Sequence, residues 1–190
     1  MVINIFLLSL VLILLVLTLV MGVYNFSSLI GAYYGAPHLA TKSAEVDLIL
    51  RKINLSDELK YLDIGCGSGG FLVNILSKKK KSTALGIDVS RMMLVFCRLR
   101  SIFFGCSNRL TLRFGIIGRI DAIEEVRDTD VIVLYLLPKL MKKLRSEIIK
   151  LFKPETLVIA RGFGFFDDDR NLISEKGESK IFVYKVSELI

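Results

Sequence analysis

Residues 60–70 read KYLDIGCGSGG, an apolar strand pattern that runs into four glycines before a helix-like stretch begins. Lys60 to Ile64 supplies the strand. Phe71, Leu72, Val73, Ile75 and Leu76 supply the apolar face of the helix, which closes at the lysines 78–81. Gly65, Gly67, Gly69 and Gly70 let the chain turn tightly and bring its backbone against a ligand. Gly65, Gly67 and Gly70 satisfy G-x-G-x-x-G, so a dinucleotide site is one reading. Asp63 points to another. It ends the strand just ahead of the loop, where a carboxylate would crowd a pyrophosphate but can hold the ammonium of a methionine moiety.

Working outward, Thr83 to Val89 forms a second strand that ends near Asp88, 25 residues beyond Asp63. An acid there can accept hydrogen bonds from both hydroxyls of a ribose. Ser90 is the better cap for the helix that follows, Arg91 to about Phe104. Arg109 to Ile117 gives a third strand. Residues 130–136, DVIVLYL, give a fourth, apolar enough to be buried on both faces. Pro138 opens a helix through about Phe152, and Thr156 to Arg161 is a fifth strand. In the tail, Leu172 to Glu175 and Lys180 to Val186 read as two closely spaced strands, and upstream Ser43 caps a helix bearing Val46, Leu48, Ile49, Leu50 and Ile53. Strands alternating with helices and then paired at the end indicate an α/β fold. The expectation is a doubly wound, mostly parallel sheet closed by a C-terminal antiparallel hairpin strand. That ending is unlike a dinucleotide domain.

The hydrophobicity is concentrated at the other end of the chain. From Val2 to Val23, 17 of 22 residues are Val, Ile, Leu or Phe, and Lys42 is the first charged side chain. A helix of that length covers roughly 33 Å, enough for a hydrocarbon core of about 30 Å. A cleaved signal peptide has a basic leader and a shorter apolar core, and neither is present. The expected organisation is a transmembrane helix over 1–23, a connector over 24–41, and one domain over 42–190. Basic residues follow the helix and none precede it, which puts the domain on the cytoplasmic side of a single-pass membrane protein.

All of the formal net charge of +7 therefore belongs to the domain. Lys78 to Lys81 lack aromatic interleaving and basic-helix periodicity, so no nucleic-acid partner is expected. They suit a helix end, where cations complement the dipole, with anionic lipid head groups as the other reading. Cys66, Cys97 and Cys106 fit no zinc spacing and no disulfide framework, so no metal is expected and the thiols read as free. His38, the single histidine, sits in the connector and reads as non-catalytic.

With these residues in place, the sequence resembles the class I S-adenosylmethionine (SAM)-dependent methyltransferases. Asp63 to Gly69 matches their first motif, D/E-x-G-x-G-x-G, and Asp88 matches their ribose-binding acid. A closer resemblance is to the small membrane-anchored lysine N-methyltransferases of the ATP synthase c-subunit and adenine nucleotide translocase type, and to their prokaryotic relatives. It is carried by the apolar N-terminus, residues 35–46 (GAPHLATKSAEV), 90–100 (SRMMLVFCRLR), 130–144 (DVIVLYLLPKLMKKL) and 151–163 (LFKPETLVIARGF).

The resemblance implies a Rossmann-like methyltransferase domain that binds SAM through Asp63, Gly65, Cys66, Gly67, Gly69 and Asp88. It implies methyl transfer to a nitrogen, with a lysine of a membrane protein as acceptor. Tyr135 is then the catalytic candidate and Pro138 a wall of the acceptor site. Two departures stand out. Relatives carry Gly-Asp after the third strand, where this chain has Gly115, Ile116, Ile117 and Gly118, with Asp121 as a substitute acid. After the fifth strand relatives are Pro-rich, where this chain has Phe163 to Phe166 and then Asp167, Asp168, Asp169 and Arg170. These departures keep other readings open: a degenerate, non-catalytic SAM-binding module tethered to the membrane, or a small-molecule or lipid methyltransferase.

Overall fold

The computed structural model describes residues 2–33, 43–116, 119–166, 170–174 and 179–190. His38, Lys42, Ile117, Gly118, Asp167, Asp168, Asp169 and Glu175 lie outside the described residues.

The N-terminal helix α1 (Val2–Tyr33) is longer than the expected 23 residues. Its apolar window, Ile5–Phe26, is long enough to cross a membrane, and no residue of that window is fully buried by the rest of the chain. The stretch from Tyr24, expected as connector, thus begins as helix. The physical reason is local: the stretch to Tyr33 has no proline, and one glycine, Gly31, costs a helix only about 1 kcal/mol.

The domain is a six-stranded sheet flanked by helices. Its elements are α2 (Ser43–Lys52), β1 (Lys60–Ile64), α3 (Gly70–Lys78), β2 (Thr83–Asp88), α4 (Arg91–Phe103), β3 (Leu110–Phe114), β4 (Val131–Leu134), α5 (Pro138–Leu151), β5 (Leu157–Arg161) and β6 (Ile181–Lys185). The strand order is β3-β2-β1-β4-β5-β6. All neighbours are parallel except β5 and β6, which pair antiparallel with Ile159 opposite Val183. Leu172, expected to start a strand, makes only an isolated bridge to Phe182. Asn171 just before it has a φ of +66°, a left-handed turn that interrupts extended backbone.

The inner strands β1, β2, β4 and β5 bury both faces, which alternate because the side-chain period is two, whereas the edge strand β3 is largely exposed. Leu62, Ile64, Ile132, Leu134, Val158 and Ala160 join Met141, Leu144 and Ile148 of α5 in one core. Tyr61, Val131, Val133 and Ile159 join Val46 and Ile49 of α2 and Phe71, Leu72 and Ile75 of α3 in the other. Two packed layers hold the sheet rigid and leave the carboxyl ends of β1, β2 and β4 to carry the site.

Candidate active site

The chain leaves β1 toward β2 and β3, then returns to lay β4 on the opposite side of β1. This reversal opens a crevice at the carboxyl ends of the strands, where ligands of doubly wound sheets bind. The β1–α3 loop and residues 135–138 border that reversal, so both sequence candidates come to the same end of the sheet.

The loop is tied to the end of β2. The N–H groups of Gly65 and Cys66 both donate to the Ile87 carbonyl, at 2.8 and 3.0 Å. Gly67, at φ +52°, turns its N–H onto Asp88 Oδ2 at 2.7 Å, and the Ser90 N–H donates to Asp88 Oδ1 at 2.8 Å. These two backbone donors fix the orientation of the Asp88 carboxylate at the end of β2. Ser90, not Asp88, caps α4, accepting from the Met93 N–H at 3.3 Å. Gly69 stands at the N-cap of α3 with φ +75°, and a Cβ there would stand 2.3 Å from Cys97 Sγ. The loop can therefore follow this path only with glycine at that position.

Asp63 is buried at the base of the loop. Burial, reinforced by the nearby Asp88 charge and opposed by Arg161, pushes its carboxyl up to about 7. A cationic ligand group placed beside it would add to the Arg161 charge and favour the ionised carboxylate. Cys66 is buried beside Cys97. That contact, burial and the neighbouring carboxylates hold its thiol well above the usual range, which removes it as a nucleophile at neutral pH.

On the β4 side, Tyr135 is half-buried and Pro138 is exposed at the first position of α5. The structure adds two residues that the sequence did not single out. The Arg161 guanidinium, at the end of β5, lies 4.3 Å from the centre of the Tyr135 ring. It also pairs with Glu45 of α2 at 2.7 Å, both side chains being buried. A basic residue ending an apolar strand is a visible signal, because a buried cation needs a partner. The partner, 116 positions away in the chain, is not visible in any local pattern. Gly115 donates its N–H to the Asp88 carbonyl at 3.1 Å, and Ile116 beyond it is exposed. Asp121 is exposed in the short helix Ile120–Ala122.

An open sheet with this strand order, a glycine loop at the reversal and acids at the ends of β1 and β2 places the chain among the nucleoside-binding type of doubly wound α/β domains. A family described as "Methyltransferase domain" matches residues 55–179, and the chain belongs to that family. It is similar to "Methyltransferase ungE'" of Aspergillus campestris, 29% identical over 76 residues, which are 40% of this chain and 22% of that relative. The chain thus matches about a fifth of the length of this curated relative. Among solved structures it is similar to an RNA methyltransferase from Salinibacter ruber in complex with S-adenosyl-L-homocysteine, with a TM-score of 0.67 and 21% identity, covering 78% of this chain and 94% of that one. It is also similar to PKMT2 from Rickettsia typhi in complex with AdoHcy, with a TM-score of 0.51 and 26% identity over 65% of this chain and 26% of that one. The fold is therefore the Rossmann-like methyltransferase fold with an antiparallel C-terminal strand.

Proposed function

We propose that this protein is a membrane-anchored, SAM-dependent methyltransferase that methylates a nitrogen, with a lysine side chain of a membrane protein as acceptor. The observation that carries the reading is the buried Asp63 carboxyl at the base of the glycine loop, beside a second, backbone-anchored carboxylate at Asp88. Asp63 suits the ammonium of the methionine moiety, and Asp88 suits the ribose hydroxyls. Gly65, Cys66, Gly67 and Gly69 bring the backbone against the cofactor. When bound, SAM supplies an electrophilic methyl on sulfur.

What remains for the protein is alignment and dryness. Leu136 is buried, and Leu137 and Pro138 present exposed apolar surface beside it beyond the end of β4, a surface that would draw an arriving amine out of water. An apolar surrounding disfavours an ammonium and releases the neutral amine that can attack. Tyr135, held under Arg161, presents a hydroxyl that can orient that amine. The α1 helix anchors the domain with its site on the cytoplasmic side, and a membrane-embedded acceptor comes within reach.

Incubation of the full chain with isolated membranes and methyl-labelled SAM tests this reading. Label on a lysine ε-amine of a membrane protein, abolished by Asp63→Ala, is the expected result. Label on lipid or on small molecules would move the acceptor elsewhere. Binding without any transfer would favour the non-catalytic module, which the exposed Ile116 in place of an acid already motivates.

A further inference from the structure

We infer that the outer face of α4 is a membrane-docking surface that rests on anionic lipid at the level where α1 leaves the bilayer. The inference depends on the reading of α1 as a membrane-spanning helix and not on the methyl-transfer reading.

Helix α4 is apolar on two opposite sides. Met93 and Cys97 face inward and are buried. Met92, Val95, Leu99, Ile102 and Phe103 recur at the i, i+3, i+7 spacing of a second stripe. That stripe faces out: Val95 is 50% exposed, Leu99 58%, Ile102 57% and Phe103 84%. Over the 13 residues of α4 it runs for roughly 20 Å. A soluble surface rarely carries such a continuous apolar row without an occupant.

Two observations name lipid as that occupant. First, Phe96, on the edge of the stripe, meets Tyr24 of α1 edge-to-face with ring centroids 5.6 Å apart. Tyr24 lies near the C-terminal end of the apolar window Ile5–Phe26, at the interfacial depth where tyrosine is favoured. The stripe is thus continuous with the spanning helix at head-group level. Second, the stripe is flanked by cations on both sides. Arg91 lies over Phe114, 4.6 Å from its ring centre, and Arg100 lies over Phe104 at 5.9 Å. Both rings are themselves exposed. Arg109 donates to the carbonyls of Leu76, Lys79 and Ser82, which holds the turn bearing the exposed Lys80 and Lys81 against the segment that follows α4. An apolar row between flanking arginines is the pattern of a helix lying in the interface plane, with its cations reaching the head groups. Because α4 begins three residues after Asp88, this contact would set the height and tilt of the crevice above the bilayer.

The chain contains no tryptophan, so one introduced indole reports its own surroundings. Full-length Leu99→Trp and Phe103→Trp variants are reconstituted in phosphatidylcholine–phosphatidylglycerol vesicles, with Leu12→Trp in α1 and Lys142→Trp on α5 as references. Emission is read with bromine-labelled lipid and with aqueous acrylamide as quenchers. The indoles at 99 and 103 should be blue-shifted, lose most of their emission to brominated lipid and be shielded from acrylamide, while Lys142→Trp behaves oppositely. Acrylamide quenching at 99 and 103 alongside lipid quenching at 12 would overturn the docking and leave the anchor intact. Shielding from both quenchers would assign the face to a second copy of the chain and overturn it equally. Loss of lipid quenching at 12 would sink the spanning helix and the docking together.

Discussion

At Asp63, folding and the proposed ligand binding pull in opposite directions. Packing at the base of the loop buries its carboxyl and raises its pKa from 3.8 to about 7. Between those values the folded chain holds a proton that the unfolded chain releases. The stability from this group is therefore full below about pH 4 and is lost as pH rises through about 7. The Asp63→Asn variant is expected to be the more stable ligand-free protein at pH 8, with little difference at pH 4, as read from thermal unfolding across that range. Ligand binding should show the reverse sense. Below pH 7 the free carboxyl must lose its proton before it can hold an ammonium, so SAM affinity should fall by up to about tenfold per pH unit there. Equal affinity at pH 6 and pH 8 would contradict this role for Asp63. Gly69 makes a separate, steric demand. Gly69→Ala places a Cβ 2.3 Å from Cys97 Sγ at a φ of +75°, and should cost about 2 kcal/mol or more in urea unfolding. The Cys97→Ala background should recover the steric part but not the strain of the positive φ.

At the scale of elements, the sequence is most legible where local chemistry and tertiary packing agree. The span Lys60–Ile64 of β1 and the Ser90 cap of α4 follow directly from residue pattern, and Ser90→Ala should cost roughly 1 kcal/mol. The fourth and fifth strands are legible from their apolar, β-branched runs, though the fourth ends at Leu134 while its apolar stretch runs on. Legibility fails where distant residues decide. Nothing local stops α1 at Val23, and the turn at Asn171 limits Leu172 to a single bridge. The Glu45–Arg161 pair joins α2 to β5 across most of the chain, so Tyr135 was visible and what lies over it was not. Glu45→Gln should destabilise the domain measurably in urea unfolding, because it removes the carboxylate that pairs with the buried Arg161 guanidinium. Glu45→Leu combined with Arg161→Met should recover much of that loss. The double variant should still depress transfer, because Tyr135 loses the cation that covers its ring.

For the whole molecule, the architecture combines an exposed apolar helix with a methyltransferase-domain fold whose crevice sits at the reversal of the sheet. If α1 spans the bilayer with the domain in the cytoplasm, the chain should stay in membranes through alkaline carbonate extraction. The domain should also be digested by protease in inside-out vesicles and protected in right-side-out ones. The central claim, that the crevice of this anchored domain is built for SAM, is most directly tested by calorimetric titration of SAM into the full-length chain in detergent, with NAD and the Asp63→Ala variant as controls. Saturable SAM binding at micromolar concentrations, absent with NAD and lost in the variant, is the predicted result. A folded chain that takes up no SAM, or that binds it equally well without the Asp63 carboxylate, would contradict the account.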